Sequence, residues 1–165
     1  MDFNFNRLTV KAQEVVQTAL EIAQNYNNQI LEPEHILAAL VQESGSIADT
    51  ILQKTGGNIS RLKLKVNGLL ENLPKVSGAG VGNQQVSNYM AKLFDVAAEE
   101  AKKLKDEYIS TEHLLIALST NEGRAGQLLR DNGISHDTIM SALKDVRGTH
   151  RVTSQNSEDT YQALK

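Results

Sequence analysis

Two adjacent Glu-His pairs, Glu34-His35 and Glu112-His113, are the residues of this chain with the most obvious capacity for chemistry. A carboxylate beside an imidazole could exchange protons with a substrate or contribute to a metal site. A zinc-binding helix needs two histidines four residues apart, and neither pair has a second histidine at that spacing. An acid–base pair needs a third group that orients it, and we identify none in the sequence. We therefore predict that the glutamates face the positive ends of helices and that the histidines cap or pack.

Other reactive groups are scarce. The chain has no cysteine, which rules out disulfides, thiolate ligands and a thiol nucleophile and fits a reducing compartment. The glycine series that ends at Asn83 is only superficially similar to a dinucleotide-binding loop, because no predicted strand precedes it. No Gly-Lys-Ser or Gly-Lys-Thr tripeptide of a phosphate-binding loop occurs, and His136 and His150 are isolated. We expect no catalytic residue, metal or cofactor in this chain.

Composition argues against two classes of partner. The net charge is −3 and only 4% of the residues are aromatic, so the chain offers neither a basic surface for phosphates nor a row of rings for bases. The N-terminus has no apolar run of signal-peptide length, and no stretch reaches the roughly 20 apolar residues of a membrane span. We therefore expect a cytoplasmic protein that binds neither nucleic acid nor membranes.

The elements that carry the two Glu-His pairs belong to an internal repeat. Shifting the sequence by 78 residues places Glu34–Leu40 on Glu112–Leu118, with five identities in seven positions. With one residue dropped, the match continues, so that Leu62 and Val66 fall on Ile139 and Leu143. This match indicates two tandem copies of one helical unit. We predict an all-α fold of about eight helices, four in each repeat, with a pseudo-twofold relation between the repeats.

Helix signals recur at equivalent places in both copies. Thr9 and Ser87 are good N-caps for lead helices, and Pro33 suits the first turn of the second helix. Gly56 and Gly133 are expected to terminate the third helices. The remaining boundaries are predicted as follows: second helices ending near Gly45 and Gly123, third helices over about 46–55 and 124–132, and fourth helices starting near Asn58 and Ser135. Leu93 and Phe94 align with Val15 and Val16, which predicts core positions, or for one of them a groove at the seam between the repeats.

The glycine-rich stretch between the copies and the polar stretch after them divide the chain. We predict repeat 1 over residues 5–72, a linker over 73–86 and repeat 2 over 87–148. Residues 149–165 are predicted to form a disordered, flexible tail. A helical pattern begins at Tyr161, just before the chain stops, which indicates a piece of a longer protein.

These features resemble a known family, the paired Clp repeats in the N-terminal domains of ring-forming AAA+ chaperones, most closely the ClpB disaggregase type. The resemblance covers essentially the whole chain. The segments that carry it are Arg7–Thr9, Leu31–Pro33, Leu73–Val76, Tyr108–Glu112, Ser157–Asp159 and Tyr161–Lys165.

The resemblance implies a mobile cap on a hexamer that helps to recognise unfolded or aggregated polypeptide before threading. It also implies ATP and Mg²⁺ for ATPase modules missing from this chain, and we expect a monomer for the isolated domain. Thr9, Asp106 and Glu112 match three family positions linked to substrate recognition. Phe94 matches an apolar groove residue, with Leu93 beside it. His113 stands where this type often has leucine, which would make the groove more polar there.

Three functions follow as hypotheses. The first is a substrate-recognition module with an apolar groove at the seam between the repeats, ringed by Asp106 and Glu112. The second is an adaptor-docking domain of a protease-linked Clp unfoldase. The third is an enzyme in which Glu112-His113 acts as an acid–base pair, although no nucleophile, metal set or phosphate loop supports it.

Overall fold

A computed structural model describes residues 5–43, 46–76, 85–148 and 150–155, and within these ranges the chain is almost entirely helical. A short 3₁₀ turn, Phe5–Arg7, precedes the first helix. Repeat 1 contains α1 Val10–Asn25, β1 Ile30–Leu31, α2 Pro33–Gln42, α3 Ile47–Lys54 and α4 Ile59–Glu71. The last two residues of the predicted linker form β2 Gln85–Val86, and repeat 2 contains α5 Asn88–Lys103, α6 Thr111–Thr120, α7 Arg124–Asp131 and α8 His136–Arg147. The predicted all-α fold with eight helices is confirmed.

The predicted caps position these helices. The Thr9 hydroxyl oxygen accepts the backbone N–H of Ala12 at 3.2 Å, and Ser87 does the same for Met90 at 3.0 Å. Gly56 and Gly133 have φ values of 80° and 77°, which glycine adopts without strain, and both follow the third helices as predicted.

The second helices are shorter than predicted. α2 ends at Gln42, and α6 ends at Thr120 rather than near Gly123. Gly123 is instead the N-cap of α7, because the Asn121 side-chain oxygen accepts its backbone N–H at 2.9 Å and turns the chain early. Gly45 lies outside the described residues.

The core is shared by both repeats. α2 is buried from Pro33 to Val41 and α6 from Thr111 to Ser119, as expected of helices that are covered on every side. These two helices contact each other, while α3 packs on α8 and α4 packs on α7. The contacts are reciprocal, as a pseudo-twofold relation requires. The seam between the repeats is therefore packed interior over much of its length.

Two short parallel strand pairings join the backbones of the two repeats. β1 pairs with β2, with Leu31 opposite Val86, and an isolated bridge joins Leu8 to Ile109. Under the shift of 78 residues, Leu8 is equivalent to Val86 and Leu31 to Ile109. In each repeat, the segment before the first helix therefore pairs with the segment before the second helix of the other repeat.

Residues 150–155 lie against the body of the domain. Val152 is fully buried, and its carbonyl accepts the backbone N–H of Glu107 at 2.7 Å. The Gln155 carbonyl accepts the N–H of Val10 at 2.9 Å. This first part of the predicted flexible tail is held by hydrogen bonds, whereas residues 156–165 and most of the predicted linker, 77–84, lie outside the described residues. Among the helices described, none has the length and apolarity needed to cross a bilayer.

Candidate functional site

The second Glu-His pair forms the start of α6. The backbone N–H of Ser110, the N-cap, donates to His113 Nδ1 at 2.8 Å, so the ring proton resides on Nε2. That Nε2 lies 2.7 Å from Asp106 Oδ2 and donates to it. The prediction that the histidine acts as a cap is confirmed. The expectation that no third group orients it is wrong, because Asp106 does so from seven residues upstream.

Asp106 is the centre of a buried ionic cluster, which we define as Asp106, Glu112, His113 and Arg147. Arg147 reaches it from the last turn of α8, with Nη2 at 2.6 Å from Asp106 Oδ2 and Nη1 at 3.0 Å from Glu112 Oε2. The second oxygen of Asp106 accepts the backbone N–H of Val152 at 2.9 Å. The cluster therefore ties α6, α8 and the segment after α8 to one carboxylate.

The hydrogen bonds determine the charge of that carboxylate. Burial by itself would raise the pKa of Asp106, but the donors from His113, Val152 and Arg147 outweigh it and lower the pKa below its usual value. Asp106 is therefore charged at neutral pH. Arg147 forms ion pairs with both buried carboxylates, as buried charges require.

Repeat 1 contains an uncharged version of the same arrangement. The N–H of Glu32 donates to His35 Nδ1 at 2.9 Å, and His35 Nε2 lies 2.9 Å from Asn28 Oδ1. Burial lowers the pKa of His35 to about 4, because the imidazolium would lose its hydration. Leu70, equivalent to Arg147 after the one-residue deletion, is buried where repeat 2 has the guanidinium.

The glutamate of the first pair also lies in the interior. Glu34 is in the first turn of α2 and is almost fully buried. Burial raises the pKa of Glu34, because desolvation disfavours its charged form.

Both repeats use this position to hold the chain that leaves their fourth helix. Asn28 Nδ2 donates to the Pro74 carbonyl at 3.1 Å, and Asp106 accepts from Val152 N–H. Pro74 and Val152 are not equivalent residues, but the Pro74 carbonyl and the Val152 amide are opposite ends of equivalent peptide units. The side-chain amide of Asn28 binds the carbonyl end of its peptide unit, whereas the carboxylate of Asp106 binds the N–H end. The sequence signal for this arrangement was the alignment of Asn28 with Asp106 under the repeat shift.

All six predicted site residues are buried, with at most 7% of their surface exposed. Asp106, Glu112 and His113 are brought together in the cluster. Thr9 caps α1, and its N–H donates to the Ile109 carbonyl at 2.9 Å. Leu93 and Phe94 belong to the core on α5, one of the two positions that the sequence predicts for them. A direct contact of these six residues with a substrate stays a prediction.

The buried location of His113 bears on catalysis. Its two ring nitrogens are occupied by Ser110 and Asp106, and its side chain is fully buried. A substrate proton would have no path to it in this conformation. Among the described residues, no three His, Asp or Glu side chains are placed to hold a metal ion.

An open cleft lies beside the cluster, between the end of α5 and α8, and we name it the α5–α8 cleft. It has a volume of about 480 Å³. Its lining residues are Leu104, Met140, Ser141, Leu143, Lys144, Arg147, Gly148 and Arg151. Arg147 is thus shared, since its guanidinium binds the cluster and the same residue lines the cleft.

Comparison with known proteins gives consistent matches. A family model described as the Clp repeat (R) N-terminal domain matches residues 7–157. A chaperone protein ClpB of Bacillus cereus is 38% identical over 164 residues, which cover 98% of this chain and 19% of that protein. This chain therefore spans about a fifth of the relative's length.

Solved structures share the fold. The Hsp104 N-terminal domain of Candida albicans superimposes with a TM-score of 0.79 at 23% identity, covering 92% of this chain and 98% of that one. A ClpV N-domain solved in complex with a VipB peptide gives a TM-score of 0.69 at 13% identity, with coverage of 85% and 86%. The family model spans both repeats and most of the described chain. The chain belongs to the Clp repeat (R) N-terminal domain family and is homologous to the N-terminal region of ClpB chaperones.

Proposed function

We propose that this chain is the substrate-recognition domain of a ClpB-type, ATP-dependent disaggregase and that it binds apolar segments exposed by unfolded or aggregated proteins. The homology to ClpB over 98% of the chain supports the protein class. The observation that carries the binding role is the α5–α8 cleft, in which the apolar side chains of Leu104 and Met140 are only partly buried. A concave, partly apolar cleft is the default position at which to expect a ligand on a folded domain.

The cluster residues support this role indirectly. Asp106 and Glu112 hold the guanidinium of Arg147, a residue of the cleft lining, and Asp106 fixes Val152 next to Arg151, which also lines the cleft. Loss of either carboxylate would alter the cleft without either one touching a substrate. Thr9 acts one step further away, because its N–H binds the Ile109 carbonyl, close to both carboxylates in sequence. We therefore propose positioning roles for Thr9, Asp106 and Glu112.

Binding to one domain should be weak. A cleft of this size covers far less than the roughly 1,200 Å² of a stable protein interface. If the longer protein assembles as a homohexamer, as we propose, six domains on one ring raise the overall affinity by avidity. ATP and Mg²⁺ would then be bound by the ATPase modules of that protein.

A second candidate is an adaptor-docking domain of a protease-linked unfoldase. The ClpV N-domain, which has the same fold, was solved with a defined peptide, so this fold can hold one specific sequence. The two candidates differ in the ligand. An unfolded-protein receptor accepts many apolar segments, whereas an adaptor-docking domain accepts one folded partner.

The test is fluorescence anisotropy of the labelled domain with a model protein that is unfolded by reduction and alkylation. The matched control is the same model protein in its native, disulfide-bonded form. We expect weak, saturable binding to the unfolded form only. Equal binding to both forms, or no binding to either, would refute the proposal.

A further inference from the structure

We infer that the outer face of α4 is a second interaction surface and that it takes an acidic amphipathic helix of a partner protein. This face belongs to repeat 1 and shares no residue with the α5–α8 cleft. Leu62, Val66 and Leu70 form the buried side of α4. Leu64, two residues from both Leu62 and Val66, therefore lies on the opposite side, where 73% of its surface is exposed. Single exposed leucines are common on proteins, so its surroundings decide its role.

Gly68 lies one turn after Leu64 on the same face and inside α4. A glycine inside a helix makes that helix less stable than an alanine would. Packing within the described structure does not require it, because a Cβ atom added at Gly68 would meet no atom within 4 Å. The open backbone at Gly68 forms a notch beside Leu64 that a partner's side chain can enter. Leucine and notch together provide the ridge and groove by which helices pack on each other.

Three cations surround this leucine. Lys63 and Lys65 lie on its two flanks, and Arg61 lies one turn before it. All three are exposed, and among the described residues none of them forms an ion pair. Glu71, the acidic residue of α4, is paired with Lys75 at 3.9 Å. The patch is positive on a chain with a net charge of −3, so it attracts carboxylates.

The equivalent helix of repeat 2, α8, lacks the leucine and the notch. By the repeat alignment, Leu64 is equivalent to Ser141 and Gly68 to Asp145. Since α4 and α8 occupy equivalent places, the fold itself requires neither an exposed leucine nor a helical glycine at these positions. A binding role on repeat 1 accounts for both.

Charge and shape together determine the class of partner. Nucleic acid phosphates would pair with the cations but would leave the leucine without an apolar partner. A helix that binds a membrane surface inserts a broad apolar face, whereas the broad apolar face of α4 is buried in the core. A helix with one apolar stripe and carboxylates on both flanks complements the leucine, the notch and the cations at once. One such helix covers less than the roughly 1,200 Å² of a stable interface, so binding should be weak.

Two helical peptides test the inference on the isotope-labelled chain. Each has about 15 residues, a covalent staple that maintains the helix and the same leucine stripe, which glutamates flank in one peptide and lysines in the other. In titrations followed by backbone amide NMR, the acidic peptide should shift the signals of residues 61–68. It should bind roughly tenfold more tightly than the basic peptide at 50 mM NaCl, because each exposed ion pair contributes a few-fold.

Salt provides a second readout. The difference between the peptides should be smaller at 300 mM NaCl, because exposed charges are screened over about 10 Å at 0.1 M ionic strength. Equal affinities for the two peptides, no binding of either, or signal shifts confined to the α5–α8 cleft would overturn the inference. Stronger shifts of residues 61–68 with anionic phospholipid vesicles or a DNA duplex than with the acidic peptide would overturn the choice of a protein partner.

Variants locate the binding surface. Leu64→Ser, which introduces the residue type of the equivalent position in repeat 2, should weaken the acidic peptide roughly tenfold. Lys63→Glu combined with Lys65→Glu should reverse the preference between the peptides. The matched control, Lys102→Glu combined with Lys105→Glu at exposed positions around the end of α5, should preserve it. Unchanged affinity in Leu64→Ser, or an equal reversal in the control, would refute the assignment to α4.

Gly68→Ala distinguishes a binding role from a structural one. Alanine favours the helix and has free space, so the urea midpoint should rise, while peptide binding should weaken several-fold because the notch is filled. Undiminished binding in this variant would overturn the role of the notch. Leu64→Ser should still bind unfolded protein like the wild type, and loss of both activities with a retained circular dichroism spectrum would refute a separate partner for α4.

Discussion

The buried ionic cluster allows a sharp test, because the two repeats fill equivalent buried positions with different side chains. Where repeat 2 has Asp106 and Arg147, repeat 1 has Asn28 and Leu70. The test is a double-mutant cycle in which Asp106→Asn and Arg147→Leu are made singly and together. The double variant gives repeat 2 the pair that repeat 1 already buries.

The magnitudes follow from the contacts. Arg147→Leu removes donors at 2.6 Å from Asp106 and 3.0 Å from Glu112 and leaves two buried carboxylates uncompensated, which costs roughly 3–5 kcal/mol. Asp106→Asn removes charge-assisted hydrogen bonds but leaves Arg147 paired with Glu112, so about 1.5–3 kcal/mol is expected. In the double variant the amide oxygen can still accept from His113, and only one buried carboxylate, that of Glu112, is left without the arginine. We expect it to be more stable than the sum of the single effects predicts, by about 1–3 kcal/mol.

Urea unfolding followed by far-ultraviolet circular dichroism at pH 7 measures all four proteins. The slope of the unfolding free energy against urea concentration must be equal in all four proteins, so that shifts of the midpoint report changes in the free energy of unfolding. A matched control combines Asp106→Asn with Ser87→Ala, a distant cap with no described contact to the cluster, for which additivity is expected. Additivity within about 0.5 kcal/mol for the Asp106/Arg147 pair would refute the coupled-pair interpretation.

Three further predictions concern the local structure. Thr9→Ala should destabilise the domain by about 1 kcal/mol in urea unfolding, whereas Thr9→Ser should not, since serine also caps; equal loss in both variants would contradict the capping role. Lys105 has φ 61°, like the equivalent Asn27 with φ 58°, so Lys105→Asn should raise the unfolding free energy by roughly 0.5 kcal/mol, and a loss of stability would contradict strain there. The folded-state pKa of His35, about 4, lies below the usual 6.5, so the unfolded chain binds this proton first and stability is lost as pH falls from about 6.5 to 4. Over that range the wild type should lose about 3 kcal/mol more than His35→Gln, and parallel pH profiles would disprove it.

Sequence reasoning predicted the features that depend on local signals. The caps at Thr9 and Ser87, the glycine stops and the duplication could all be read from residue type and spacing. The end of α6 was misplaced, because the Asn121 side chain competes for the turn before Gly123 is reached.

The features that were missed depend on tertiary contacts. Asp106 and Arg147 are 41 residues apart, and nothing in the local pattern of α8 distinguishes a buried arginine at its last turn from an exposed one. The two-residue strand Gln85–Val86 is too short to have a recognisable alternation, and its partner belongs to the other repeat. The burial of Glu112 was also unexpected, because charged residues are rarely buried without a partner. Its partner, Arg147, is brought close only by the tertiary fold.

The contacts of residues 150–155 determine where the described chain ends on the surface of the domain. If these residues made no contacts, the eight residues after Arg147, up to Gln155, could extend by up to about 29 Å at 3.3–3.6 Å per residue. Because the Val10 N–H donates to the Gln155 carbonyl, residue 155 is instead held beside the start of α1. Release of Val152 from Asp106 would free part of that length, so one buried carboxylate helps to fix the path of the chain after α8.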